Sequence, residues 1–239
     1  MQQPILSIVI PVLNDTAALT GLLKELCSQI NGLKAATGAI EIVVVDAGDA
    51  SETAEWLAQF EAATGHIRYL NSPPGRAKQL NAGIECASGS LLWLLHADSG
   101  LPPGLIQELL RIAVNGEVQW GRFDVCLDDA RWPFRVIEFF MNMRSRWTGI
   151  CTGDQGIFLR GDLFQRVGGM PDQALMEDIE LSKRLKPFAK PYASHWRLRT
   201  SARRWQSNGI LATIFLMWTL RLLYFFKADP ARLAEMYRA

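Results

Sequence analysis

The chain has 239 residues, 49% of them hydrophobic and 21% charged, with a formal net charge of +1. That length suits one large α/β domain or two small ones, and the near-neutral balance argues against a nucleic-acid partner. The four cysteines, Cys27, Cys86, Cys126 and Cys151, are widely spaced with no CxxC pair. They read as buried thiols in a reducing compartment rather than disulfides or a zinc site.

Met1-Gln2-Gln3-Pro4 has no basic segment leading into an apolar run, so no secretory signal is expected. Ile5 to Val12 is a continuous β-rich apolar run and predicts a strand buried on both faces. Asn14 and Asp15 are good helix caps, and Leu19, Leu22, Leu23, Leu26 and Ile30 follow at helical spacing. Glu41 to Val45 predicts a second strand ended by Asp46, with a helix over 51–60 and a third strand over Ile67–Leu70. Pro73-Pro74-Gly75 breaks the chain before a helix over Ala77–Ala87. Leu91 to Leu95 is another apolar strand, ending in His96-Ala97-Asp98. Alternating strands and helices with short connections predict an α/β fold, a mostly parallel central sheet flanked by helices.

The second half differs in texture. Trp120 to Cys126 predicts a strand, and Pro133 to Trp147 a helix with Phe134, Ile137, Phe140 and Met141 among its apolar members. The polar turn Gly153-Asp154-Gln155-Gly156 leads into Ile157-Phe158-Leu159, and a helix opens at Met176 and runs to Leu185. Ile210 to Phe226 is apolar except for Thr213, Thr219 and Arg221, at the short limit of what crosses a bilayer. It reads as a helix lying in a membrane interface with Trp218 and Tyr224 at headgroup level, or packed on its own domain, or on a second copy in a homodimer. Trp132, Trp147, Trp196, Trp205 and Trp218 enrich this half, which suits sugar or lipid contact and an aromatic core alike.

Ligands of open α/β sheets bind outside the carboxyl ends of the strands. Asp15, Asp46 and Asp98 occupy such ends. Asp98 is placed to hold Mg2+ or Mn2+ against a phosphate-bearing ligand, and alone it reads also as the cap of the next helix. Asp46 can accept hydrogen bonds from a ribose or a base. Gly75-Arg76-Ala77-Lys78-Gln79-Leu80-Asn81 puts two cations at a helix start, where N–H groups and the helix dipole favour anions. Two residues apart, they cannot share a helical face, and Arg76, in the loop, is the expected phosphate contact. Neither a GxGxxG fingerprint nor a P-loop is present.

In order along the chain, Ser7 to Asp15, Val43 to Asp46, Gly75 to Gly83, Leu95 to Asp98 and Met176-Glu177-Asp178 resemble a family 2 glycosyltransferase of the GT-A fold. His96-Ala97-Asp98, the turn at Gly153 and Thr200 to Trp205 are similar, more narrowly, to a small bacterial subgroup named after neighbouring radical-SAM and selenoprotein-domain genes. The resemblance implies a nucleoside-diphosphate sugar donor, Mg2+ or Mn2+, inversion at the anomeric carbon, and an acceptor hydroxyl or carboxyl. A lipid or other apolar acceptor is expected if the C-terminal helix meets a membrane.

The resemblance puts Asp46 on the nucleobase and Pro11 and Leu13 in its pocket, with Asp15, Arg76, Lys78 and Asn81 on the donor side. Asp98 becomes the metal ligand of the family's Asp-x-Asp motif, and Asp178 the catalytic base with Glu177 beside it. Here the motif's first position is His96, whose imidazole can bind a ribose hydroxyl or the metal, or be a satisfied strand-end histidine. Asp154 and Gln155 are expected to orient a sugar, or to form a plain polar turn. Arg203, Arg204 and Trp205 offer charge to the diphosphate and a stacking surface, or are a solvated pair beside a Trp. His195 is more often structural than a ligand. Residues 1–100 form a nucleotide-binding half and 101–209 an acceptor half, with 210–239 a helical extension. The expected location is cytoplasmic, peripheral at the inner face of the cell membrane. The altered metal motif keeps a second reading open, a catalytically silent sugar-nucleotide-binding scaffold.

Overall fold

A computed structural model describes residues 4–33, 39–48, 57 and 67–238. In chain order its elements are β1 (Leu6–Val12), α1 (Thr16–Gly32), β2 (Ile40–Asp46), β3 (Ile67–Asn71), α2 (Arg76–Cys86), β4 (Leu91–Leu94), α3 (Leu105–Asn115) and β5 (Trp120–Leu127). There follow α4 (Trp132–Thr148), β6 (Phe158–Arg160), α5 (Gly161–Arg166), α6 (Glu177–Leu185), β7 (Tyr192–Thr200), α7 (Arg203–Asn208), α8 (Ile210–Phe225) and α9 (Pro230–Arg238).

The seven strands form one sheet in the order β3-β2-β1-β4-β6-β5-β7. The β3-β2-β1-β4 half is parallel, as the apolar runs predict, and β1 is in register with β2 from Leu6↔Ile40 to Val12↔Asp46. β6 runs antiparallel to both β4 and β5, while β7 returns parallel to β5. The expected helix over 51–60 lies outside the described residues except for the buried Leu57.

Period-two alternation explains why the central strands are apolar throughout. Leu6, Ile8, Ile10 and Val12 face the core made with α1 and α3, whereas Val9, Val43 and Val45 face Ala77, Leu80 and Ile84 of α2. Fully burying each Leu, Ile or Val contributes about 2 kcal/mol. Gly83 lets α2 approach closely, since a Cβ there would fall 2.5 Å from Val9 Cγ1 and 2.8 Å from Val45 Cγ2.

Several expectations are corrected. Of the apolar members named on α4, Phe134 and Ile137 point inward, while Phe140 is exposed beside Phe139. Cys86 is exposed and Cys126 half-buried, so only Cys27 and Cys151 are buried thiols, all four being free. Burial pushes the Cys27 thiol up to about 11 and Cys151 to about 12, which makes both poor nucleophiles. Arg76 is the first residue of α2 rather than a loop residue. The apolar C-terminal stretch ends at Phe225, Lys227 adopts φ 62°, and a further helix follows from Pro230. Among the described residues no helix is long and apolar enough to cross a membrane.

Candidate active site

The strand order reverses direction between β1 and β4, the place where open α/β sheets bind ligands. A cavity of about 780 Å3 opens there. Its wall includes Pro11 and Leu13 at the end of β1, Asp15 at the cap of α1, and His96 and Asp98 after β4. Arg76 of α2, Asp154, Glu177 of α6, and Arg203, Arg204 and Trp205 of α7 also line it, whereas Asp178 lies beside Glu177 outside the wall.

The acidic side chains hold the cations in place. Asp15 caps α1 by accepting from the Ala18 amide at 3.2 Å, and its other oxygen accepts from Arg203 Nη2 at 2.8 Å. The same Arg203 nitrogen lies 3.7 Å from Asp98 Oδ2. His96 Nδ1 stands 3.4 Å from Asp154 Oδ1. Burial tends to raise the Asp154 carboxyl, but the His96 contact and the charges of Arg76 and Arg221 hold it below its ordinary value. The other face of the ring is closed by backbone: a Cβ on Gly153 would fall 2.4 Å from His96 Nε2. The ring is therefore packed against the Gly153 turn, with Nδ1 facing Asp154.

A divalent metal is tested against this donor set. Among the described residues no group of three or more His, Cys, Asp or Glu side chains could hold a metal ion. Hard cations that carry phosphate substrates commonly take only one or two protein carboxylates, the rest of the shell being phosphate and water. Asp98, a third exposed and lining the cavity, fits that minimal set. His96 Nδ1 is turned to Asp154, and among the described residues no such group of three or more forms around the ring.

At the other wall Arg76 Nη1 donates to Glu177 Oε1 at 3.0 Å. Glu177 begins α6, preceded by Met176 at φ 66°. Asp178 Oδ2 accepts from the Gly153 amide at 2.9 Å and Oδ1 from its neighbour Ile179 at 2.7 Å. These bonds aim the carboxylate at the turn that carries Asp154. Burial, and then the Glu177 charge, raise the Asp178 carboxyl above its ordinary value, the direction a general base requires.

Other expected residues are placed apart from the cavity wall. Asp46 is buried, its Oδ1 accepting from the Gly48 amide at 2.8 Å and Oδ2 facing Tyr69 at 3.4 Å. Lys78 is exposed, its methylenes lying by Gly75. Asn81 bonds both ways to the Met170 backbone at 2.9 Å, tying α2 to the loop before α6. Gln155 is fully buried in a capping box with Thr152 and donates to Ser145 at 3.0 Å. His195 is exposed on β7 beside Arg146 and Asp124.

Sequence reasoning passed over Gln79 and Tyr237. Gln79 lines the cavity and bonds the carbonyls of Val12 at 2.7 Å and Val45 at 2.9 Å, joining the ends of β1 and β2. Its mid-helix position at a buried face was the available signal. Tyr237 of α9 lines the same cavity and stacks on Arg204, with the guanidinium carbon 3.8 Å from the ring centre. Nothing local announced it, because α9 reaches the cavity only by folding back over α6.

The architecture is that of GT-A glycosyltransferases, and the chain belongs to glycosyl transferase family 2, whose family model matches residues 7–168. It is 33% identical over 162 residues to an undecaprenyl-phosphate 4-deoxy-4-formamido-L-arabinose transferase of Pseudomonas paraeruginosa (strain DSM 24068 / PA7), covering 65% of this chain and 46% of that protein. A Yersinia pestis (strain Pestoides F) protein of the same description is 32% identical over 165 residues, covering 67% and 50%. The chain thus spans about half the length of the curated relatives it matches. Two solved structures share the fold. S. aureus TarS 1-349 in complex with UDP-GlcNAc has a TM-score of 0.66 at 14% identity over 82% of this chain and 58% of its own. The mannosyltransferase PcManGT from Pyrobaculum calidifontis, in complex with GDP-Man and Mn2+, has 0.63 at 16% identity over 83% and 57%.

Proposed function

We propose that the protein is an inverting glycosyltransferase that moves a sugar from a nucleoside-diphosphate donor to an acceptor oxygen. The observation that carries this reading is the cavity at the β1/β4 switch point, whose wall gathers Asp98, Arg203 and Arg204 with Asp154 and the Arg76–Glu177 pair. Asp178 follows Glu177 directly and is tied to the Gly153 turn.

In this reading the acceptor oxygen attacks the anomeric carbon as the bond to the diphosphate breaks, and the electron pair leaves with the diphosphate. The acceptor's proton, from a hydroxyl, a carboxyl or the P–OH of a monoanionic phosphate, passes to Asp178 Oδ. Arg203 and Arg204 meet the charge growing on the leaving group. Asp98 would hold Mg2+ or Mn2+ against the diphosphate, and that ion would supply further positive charge there. Asp46, Pro11 and Leu13 are assigned to the nucleoside, and Trp205 to a stacking surface. The membership of His96-Ala97-Asp98, the Gly153 turn and Thr200–Trp205 in one site supports placing the chain in the radical-SAM-associated subgroup.

The curated relatives are named for an undecaprenyl-phosphate acceptor, and we carry a lipid-borne acceptor over to this chain. Two neighbouring helices support it. Leu211, Phe215, Trp218, Leu222 and Phe225 form one exposed face of α8, and Trp132, Val136, Phe139, Phe140 and Trp147 one exposed face of α4. Both helices pack on one cluster through Ile137, Met141, Ile210 and Ile214. The only acid in either helix, Glu138, is buried and paired with Arg135. Such an aromatic, cation-flanked face fits peripheral contact with an anionic bilayer at the cytoplasmic side of the membrane. A second copy would bring charge of the same sign against it.

The test is calorimetric titration of UDP, GDP and CDP with Mn2+ and again with EDTA, followed by turnover of the matching sugar nucleotide. Metal-dependent binding of one nucleotide and release of its diphosphate are expected. Binding without turnover would leave the silent scaffold, and no binding would remove the reading.

A further inference from the structure

Arginine is seldom buried without a partner, because its five N–H donors are costly to leave unmet. Among the described residues two arginines have buried nitrogens with no hydrogen-bond partner: Arg144 at Nε and Nη2, and Arg221 at Nε. The comparison within the fold is Arg122, which is almost wholly buried yet paired with Asp124 and donates to the Asn142 carbonyl at 3.2 Å. Arg144 has one anchor, an Nη1 contact to the Ile150 carbonyl at 3.3 Å.

The two side chains converge on one place. Ile150 packs in the same cluster as Met176, Ile179 and Leu220, which pins the Arg144 anchor and the Arg221 turn of α8 to the start of α6. Asp178 lies there, within electrostatic reach of both guanidinium groups, and Arg221 also feels Asp154. Burial lowers both arginines, Arg144 to about 10 with the Arg221 charge adding to the effect, and no acid among the described residues hydrogen-bonds to either. The Asp178 charge offsets part of this from a distance, but its two oxygens accept from the Gly153 and Ile179 amides.

We propose that Arg144 and Arg221 form an anion subsite that holds a phosphate or carboxylate of the sugar acceptor beside Asp178. The inference rests on the transferase reading, which puts the acceptor at Asp178. The planar guanidinium fork matches either anion. The donor diphosphate is served by other cations: Arg76, Arg203 and Arg204 line the 780 Å3 cavity, and Arg144 and Arg221 are not part of its wall. An anion bound there also shares the arginines' charge, so Asp178 feels less of it and is a stronger base.

The experiment uses the full chain and three probes: inorganic phosphate, dodecyl phosphate below its micelle concentration, and uncharged dodecanol. Each is titrated into the wild type and into the Arg144→Gln and Arg221→Gln variants, with UDP and GDP titrated in parallel. Binding of a phosphate probe, at least tenfold weaker in each Gln variant and unaffected by saturating nucleotide, is expected. Tighter dodecyl phosphate than inorganic phosphate marks an amphiphile headgroup, and equal affinity a small free anion. Melting temperatures should stay level or rise, since unmet donors are removed, and Arg144→Lys and Arg221→Lys should recover part of the binding. Equal binding of dodecanol and dodecyl phosphate would overturn the subsite, as would phosphate displaced by nucleotide. Gln variants that melt lower and still bind phosphate as the wild type does would show a structural role instead. A wild type that binds phosphate but no nucleotide would instead refute the transferase reading.

Discussion

Arg203 and Asp98 stand 3.7 Å apart, and the same Nη2 that approaches Asp98 donates to Asp15 at 2.8 Å. Without ligand, one guanidinium thus bridges two strand-end carboxylates on the phosphate side of the cavity. A diphosphate and its metal would compete for both partners, the arginine turning toward the phosphate and Asp98 toward the ion. Asp98→Ala is expected to abolish the difference between nucleotide titrations in Mn2+ and in EDTA. Arg203→Gln should weaken nucleotide binding in both media by about tenfold, near 1.4 kcal/mol. Calorimetry separates the two patterns.

Asp178→Asn is expected to lower turnover by about 10²–10⁴-fold, the usual worth of a general base, with nucleotide affinity unchanged. The acid limb of the wild-type pH–rate profile should lie above the ordinary carboxylate value of 3.8, because burial and then Glu177 raise Asp178. Glu177→Gln removes the like charge and should move that limb to lower pH. The same raised carboxyl favours its protonated form in the fold, so its contribution to stability is present at low pH and lost as pH rises through the folded value. Rate profiles and melting curves over the same pH range check both signs.

Gly153→Ala should dislodge the His96 ring, since a Cβ there falls 2.4 Å from Nε2. The His96–Asp154 contact would break and Asp154 would lose its leading stabiliser, with kcat/KM falling about tenfold, near 1.4 kcal/mol. His96→Ala alone should give the same loss, and Gly153→Ala added to it should cost nothing further, if the broken His96–Asp154 contact is the cause.

Glu41 joins the entry ends of three strands. Its Oε1 accepts from Ser7 Oγ at 2.5 Å, from Ser88 Oγ at 2.9 Å and from the Gly89 amide at 3.1 Å. Burial would raise its carboxyl, yet the Ser7 and Ser88 hydrogen bonds and Arg68 hold it below the ordinary value. Glu41→Gln should cost about 2 kcal/mol, the scale of charge-assisted hydrogen bonds. That stability is present above the unfolded value and lost as pH falls through the lower folded one, so denaturant melts of wild type and variant should converge in acid.

Replacing Trp132, Trp147 and Trp218 together by Ser should leave melting unchanged, since all three are exposed. It should release the protein from vesicles of phosphatidylcholine with anionic phosphatidylserine, measured by co-sedimentation. Wild type that ignores such vesicles yet elutes as a dimer would assign the face to a second copy.

The parallel half of the sheet and the strand-end place of Asp98 were legible in the amino-acid order, because each depends on short-range signals, whereas Asp178 was singled out only through the family resemblance. Apolar runs mark doubly covered strands, turn residues mark their carboxyl ends, and a polar residue at such an end already points toward a ligand. The capped start of α1 at Asp15 was readable for the same reason. What lay beyond reach was decided by contacts distant in the chain. Arg203 meets Asp15 across 188 residues, and Arg76 meets Glu177 across 101. No local pattern states that Phe140 faces outward, that Tyr237 folds back onto Arg204, or that Arg144 and Arg221 both come within electrostatic reach of Asp178. Periodicity assigns a residue to a face of its own helix, and only packing between elements determines what that face meets.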